Sequence, residues 1–162
     1  MLVCLALFAA VVVVDASSDI ICKKCGTNIT DTEYFLSIRS DVSRDSTEKF
    51  LFHQKNVLTQ LFRNPEGKYF EVVTSSRANL KCNSHSTLDH TFFKGYAWSP
   101  CVCPKCGIHH GWLFLLSTNS DFQCDASKDK SCDSPGTFYG LITDDLVHKL
   151  DLDLLHGAKH DL

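Results

Sequence analysis

Two short cysteine pairs restrict this chain more than anything else in it. Cys22-Lys-Lys-Cys25 and Cys103-Pro-Lys-Cys106 share one spacing, and a glycine follows each, Gly26 and Gly107. Two thiolates on a tight turn, with a glycine that lets the backbone bend back toward them, are what a zinc knuckle requires. Two knuckles supply four soft ligands, Cys22, Cys25, Cys103 and Cys106, for one structural zinc ion in a closed tetrahedral site without a water position. A metal held this way staples the N-terminal part of the chain to its middle. Two disulfides or a redox dithiol are the competing reading of the same residues.

The chain has 162 residues and a formal net charge of −3. That length suits one compact domain with its own core. The near-neutral balance argues against nucleic acid as a partner, which a basic face would favour. Residues 1–16, MLVCLALFAAVVVVDA, form an apolar run that ends in small residues. The run is shorter than the roughly 20 residues of a membrane span. Val14 and Ala16 stand at the −3 and −1 places of a signal-peptidase site, although no Lys or Arg precedes the run. Residues 1–16 are therefore expected to be a cleaved signal peptide, 17–148 a zinc-binding domain and 149–162 a C-terminal tail. The expected location is secreted, with no stable membrane anchor. The terminal Lys-His-Asp-Leu only loosely resembles an ER-retrieval tail.

Of nine cysteines, Cys4 leaves with the leader, and eight remain, an even number as a secreted chain favours. Cys124 and Cys132 flank the polar loop 125–131, where a disulfide would tie the loop down. Cys82 and Cys101 then pair by elimination, one connectivity among several. Asn28-Ile29-Thr30 is an N-glycosylation sequon beside the first knuckle.

The middle of the chain reads as β. Segments such as EYFLSI, KFLFHQ, YFEVVTS, YAWSP, GWLFLLS and TFYGLIT are rich in β-branched and aromatic residues. Asn64-Pro65-Glu66-Gly67 suits a type I turn closing a hairpin. Only 143–155 has helical character, with Thr143 as the expected N-cap and two acids in the first turn. The expected fold is a small, mainly β, antiparallel domain in which metal and disulfides supplement a modest core.

Phe92, Phe93, Tyr96, Trp98, Trp112 and Phe114 crowd around the second knuckle, and both tryptophans of the chain are among them. Strand alternation places Tyr96 and Trp98 on one face of one strand, and Trp112 and Phe114 on one face of the next. The knuckle is then the hairpin turn between them, so a metal at Cys103 and Cys106 fixes how the aromatic pairs face each other. Large aromatics also fill ordinary cores, and pattern alone does not separate the two uses.

The run HTFFKGYAW, the C-x-x-C pair and HHGWLF together resemble the CULT domain family, the cereblon-type thalidomide-binding domain and its small bacterial and secreted relatives. CKKC, NPEG and SPGTFYGL extend the resemblance over roughly residues 20–148. The resemblance implies two antiparallel sheets, a β-tent, pinned by the four-cysteine zinc site. It also implies an aromatic cage that takes a cyclic imide or uracil-like ring. Trp98 and Trp112 match two cage walls, and Phe92 stands where the family has the third tryptophan. Phe114 matches the pocket base and Asn64 its rim. His90 and Phe92 match the positions whose backbone groups bond the imide edge. Phe93-Lys94 replaces the family's aromatic-proline pair.

The expected function is a secreted binding module for a small cyclic imide or uracil-like ring, or for a protein end bearing one. No ubiquitin-ligase link is expected, because the leader directs the chain across a membrane from that machinery. An enzyme is the second reading: related zinc-pinned β folds include methionine sulfoxide reductases, with Cys101 as nucleophile and His109 or His110 as base. His109 and His110 read more simply as a strand pair, one buried and one exposed. A structural zinc domain with a vestigial pocket is the third reading, motivated by Phe92.

Overall fold

The computed structural model describes residues 18–117 and 136–157. The expected leader, the Cys124–Cys132 bridge and the last five residues of the tail lie outside the described residues. In chain order the strands are β1 (Asp19–Cys22), β2 (Asn28–Asp31), β3 (Phe35–Leu36), β4 (Asp45–Leu51), β5 (Gln54–Arg63) and β6 (Tyr69–Ser75). They continue as β7 (Lys81–Cys82), β8 (Tyr96–Val102), β9 (His109–Leu116), β10 (Thr137–Ile142) and β11 (Leu146–His148), and one helix, α1 (Lys149–Gly157), follows. Two antiparallel sheets result, as expected from the sequence. The smaller has the order β11-β1-β2, and the larger runs β4-β5-β6-β10-β9-β8-β7, with β3 pairing on β6.

Period-two alternation splits the larger sheet into two different faces. Leu113 and Leu115 of β9, Tyr139 and Leu141 of β10 and Val73 of β6 point into one core, which also holds Ile20, Cys22, Cys101 and Cys103. The residues between them, Trp112, Phe114, Phe138, Ile142 and Val72, point into a second core with Phe62, Phe70 and Phe93. One sheet thus carries thiols and aliphatics on one side and aromatics on the other. Both cores are needed to bury β9, whose residues 110–115 are all buried. Each fully buried Phe or Leu contributes about 2 kcal/mol of apolar burial.

Register is fixed where β9 meets its neighbours. Trp98 pairs with Phe114 and Pro100 with Trp112, but Cys101 opposes Gly111 while Val102 opposes His109. His110 is the extra residue of this bulge. Gly111 sits at φ 144°, and a Cβ there would come within 1.9 Å of the Gly140 carbonyl oxygen. Only glycine fits this approach of two backbones.

Three sequence expectations change. Lys49–Gln54 is not one strand: Leu51 pairs with Gln54, and Phe52 and His53 form the hairpin turn at φ 51° and 60°. Such a turn usually takes Asn or Gly, because left-handed backbone costs a bulky residue about 1 kcal/mol. Burial of Phe52 in the aliphatic core, 6.0 Å from the Phe35 ring, offsets that cost. Second, EYFLSI begins as a 3-10 turn at Thr32–Tyr34, with Asp31 accepting from the Glu33 N–H, before the two residues of β3. Third, Thr143 is no helix cap. Residues 143–145 form a 3-10 turn, 146–148 pair with β1, and the helix starts at Lys149. The Thr143 hydroxyl donates to Glu71 instead. Pairing with β1 claims the backbone groups that a longer helix would have used.

No helix among the described residues is long and apolar enough to cross a membrane.

Candidate functional site

The two knuckles have the same backbone. The Cys22 N–H donates to the Thr27 carbonyl (2.8 Å) and the Gly26 N–H to the Cys22 carbonyl (2.8 Å). In the second knuckle, Cys103 donates to Ile108 (2.8 Å) and Gly107 to Cys103 (3.0 Å). Gly26 and Gly107 sit at φ 70° and 73°, the left-handed conformation that each turn requires. All four Sγ atoms lie within 4.8 Å of one another. Cys22 is 3.6 Å from Cys106, and Cys25 is 3.6 Å from Cys103. A tetrahedral thiolate centre with zinc–sulfur bonds near 2.3 Å has sulfur–sulfur edges of about 3.8 Å. The four sulfurs fit that geometry, and all four are free thiols, whereas Cys82 and Cys101 are bonded at 2.02 Å. The four cysteines together can hold a metal ion.

Burial pushes the Cys22 thiol up to about 12. Hydrogen bonds from the Thr27 side chain and backbone draw the Cys25 thiol down to about 6. Without a cation, Cys22 stays protonated while Cys25 ionises. A divalent ion at the centre would supply the charge that lets all four thiolates coexist.

The Cys82–Cys101 disulfide joins facing residues of β7 and β8. It ties that edge of the larger sheet one residue short of the second knuckle. Cys101 is therefore oxidised and 0% exposed.

On the other face of the sheet a cleft of about 550 Å³ opens. Asn64, His90, Phe92, Trp98, Trp112 and Phe114 all line it. They come from the β5–β6 turn, the segment before β8, and the strands β8 and β9. Trp112 forms its inner wall at 7% exposure, and Phe114 lies beneath it at 1%. The Phe92 ring meets Trp112 edge to face at 5.1 Å. Trp98 packs against the margin of the aromatic core, and its indole N–H donates to the Asp89 carbonyl at 2.8 Å. One wall is thus fixed from behind by a hydrogen bond, the other by ring packing, and the space between them stays open.

The polar rim is also organised. The Asn64 carboxamide oxygen accepts from the Lys68 N–H (2.8 Å), closing the turn with the Gly67-to-Asn64 bond expected of it. His90 holds φ 55°, an uncommon conformation for a non-glycine residue. Among the described residues, neither the His90 carbonyl nor the Phe92 N–H has a hydrogen-bond partner. The Phe92 carbonyl is engaged by the Ser40 hydroxyl. The 90–92 segment therefore offers an acceptor and a donor.

Among the cleft-lining residues that the sequence reading did not nominate are two rings, Phe70 and His109. Phe70 stands edge-on to Trp112 at 5.1 Å, and His109 does so at 4.8 Å. Burial, its largest cause, holds the His109 imidazole below its ordinary range, and its Nε2 has no partner among the described residues. Alternation puts His109 and His110 on opposite faces, but the bulge decides that His109 shares a face with Trp112. His110 is the wholly buried member. Gly111 was the only hint of the bulge in the sequence.

Fold and site define a class: an antiparallel β domain with a four-cysteine cluster able to hold a metal on one face of its main sheet and an aromatic cleft on the other. No family model matches the chain. It is similar to protein cereblon of Gallus gallus, at 33% identity over 88 residues, 54% of this chain and 17% of that protein. Protein cereblon of Danio rerio is 34% identical over 79 residues, 48% of this chain and 16% of the relative. For Xenopus tropicalis the figures are 33% over 79 residues, 48% and 15%. The matched segments thus span about a sixth of those relatives. About half of the chain is thus similar to a segment of cereblon, which supports a cereblon-like, or CULT, domain.

Proposed function

We propose that this chain is a secreted binding module, not an enzyme, whose aromatic cleft takes a small cyclic imide or uracil-like ring, free or on the end of a protein. The observation that carries the reading is the convergence of six residues, nominated from three separated stretches of sequence, on one cleft. A flat imide has an apolar body and a polar edge that alternates C=O, N–H, C=O. Trp98, Trp112 and Phe92 bury the body, while the His90 carbonyl and Phe92 N–H, unpaired among the described residues, meet the edge. Such a pairing satisfies the imide N–H and one of its two carbonyls.

Zinc is the ion of this reading, because four thiolates at this spacing suit it and close the site against water. It would fix the β8–β9 hairpin and, through it, the position of Trp112 relative to Trp98. The Cys82–Cys101 disulfide supports passage through an oxidising compartment, in line with the apolar leader. Asn28 is exposed on β2, as a glycosylation acceptor must be, with its amide nitrogen donating to Asp19 (2.7 Å). The redox-enzyme alternative loses its nucleophile, since Cys101 is half of a disulfide.

Titration of the mature, zinc-loaded chain with glutarimide and with uracil tests the proposal. Stacking on Trp98 and Trp112 quenches tryptophan emission saturably. An unchanged spectrum with both ligands at millimolar concentration would end the reading.

A further inference from the structure

A second cavity, of about 380 Å³, adjoins the aromatic cleft. The two share Asn64, Pro65, His90 and Phe92, so they meet along one rim with Phe92 as the partition. Their chemistry differs. Glu66 and Asp89 line the aromatic cleft, but no acidic residue lines the second groove, although acids outnumber bases in the chain, 19 to 16. Arg44 and Arg63 line it instead, with His90 at the shared rim.

The two arginines are placed firmly and used lightly. The Arg44 N–H donates to the Leu61 carbonyl (2.7 Å), which fixes its backbone beside β5. Among the described residues, no carboxylate pairs with its guanidinium. Arg63 ends β5, lies over the Tyr69 ring at 5.7 Å, and donates Nε to the Gly67 carbonyl across a long 3.4 Å. Other cations are committed: Arg39 pairs with Glu48 and Lys49 with Glu71, each at 2.7 Å. Two guanidinium groups without a carboxylate partner among the described residues, beside a groove that no acid lines, form an anion-binding arrangement, since their planar donors match carboxylate and phosphate oxygens.

We propose that the natural ligand is a ring carrying an anionic arm: the ring occupies the aromatic cleft, and a phosphate or carboxylate crosses the Asn64–His90 rim to Arg44 and Arg63. The inference rests on the proposed ring-binding role of the cleft and adds the chemical class of the substituent. Phe92 lines both compartments, so the linker between ring and anion has to pass beside it.

Calorimetric titration of the zinc-loaded chain with uridine and with uridine 5′-monophosphate tests it. The expected result at low salt is about tenfold tighter binding of the monophosphate, a gain that shrinks as ionic strength rises. Uridine 5′-carboxylate shows whether the gain is specific to phosphate or shared by any anion; either gain supports the proposal. In the R44Q/R63Q double variant, the two ligands should bind equally while uridine keeps its wild-type affinity. Both side chains are exposed, so the fold is retained. Equal binding of uridine and its monophosphate by the wild-type chain, or a preference that survives the double substitution, overturns the proposal. If neither uracil nor uridine binds at all, the cleft reading itself has failed, and the anionic arm falls with it.

Discussion

Phe92 lies flat on Phe62, with ring centroids 4.5 Å apart and planes within 10° of parallel, while its edge meets Trp112 at 5.1 Å. Phe92 is therefore held on two sides by other rings. Its place as a wall comes from packing and does not depend on an indole.

That relationship sets the expected effect of changing it. Phe92→Trp enlarges the stacking face, and ring affinity should rise about fivefold, the equivalent of roughly 1 kcal/mol. Phe92→Ala should lower affinity by about the same factor or more and cost about 2 kcal/mol of stability, since Phe62 loses its stacking partner. Fluorescence titration and denaturant unfolding read the two effects separately. Unaltered affinity in the alanine variant would remove Phe92 from the cleft wall.

Metal removal should disable the cleft without touching it. The mature chain is expected to hold one zinc, measured by elemental analysis, and Cys103→Ser to lose it. Chelation should cost several kcal/mol of apparent stability, because an ion held by the four cysteines would join β1 to the β8–β9 hairpin. The tryptophan response to ligand should vanish with it. A zinc-free sample that has its four thiols oxidised to one another and still binds normally would refute the link between clamp and cleft.

Gly111 should tolerate no side chain. With a Cβ 1.9 Å from the Gly140 carbonyl oxygen, Gly111→Ala must push β9 and β10 apart. A loss of about 4 kcal/mol is expected, at the upper end for single substitutions. Thermal unfolding measures it, and a loss under about 1 kcal/mol would mean that the strands do not approach as described.

Acid should weaken the fold through buried imidazoles. Burial, the largest cause for each, holds His110 and His148 below their ordinary range. A histidine with a depressed folded-state pKa binds protons more readily when unfolded. Its contribution is therefore complete above the unfolded value, about 6.5, and is lost as pH falls from there toward the folded value. The His148 Nδ1 accepts the Leu150 N–H at the start of α1 (3.3 Å), a bond that only the neutral ring can make. Denaturation midpoints should fall between about pH 7 and pH 5, and less steeply in His148→Gln. An identical slope in the variant would exclude His148 as a contributor.

Much of the candidate site could be read before the fold was known, because its signals are local. A knuckle is a turn of a few residues, written as two cysteines and a glycine. The Asn64–Gly67 turn and the aromatic clustering around Cys103 are equally short-range. Elements set by distant partners were less legible. Nothing in Phe52-His53 announces a turn; the aliphatic core recruits Phe52 and the backbone follows. Leu146–His148 looked helical until β1 supplied an edge for it. His109 and Phe70 joined the cleft only through the β8–β9 bulge and the β5–β6 register, which neighbouring residues do not encode.

By itself the sequence determined the chemistry: four thiols suited to one ion, two tryptophans flanking the second pair, and a mainly β chain to carry them. The tertiary structure decided the geometry. It set the four-cysteine cluster and the cleft on opposite faces of one sheet, left the His90 carbonyl and Phe92 N–H without partners among the described residues, and brought Arg44 and Arg63 to the groove beside the cleft. The reason is physical: residue types and tight turns are properties of neighbours along the chain. Which faces meet depends instead on cross-strand register, and that is fixed only when both cores are buried at once.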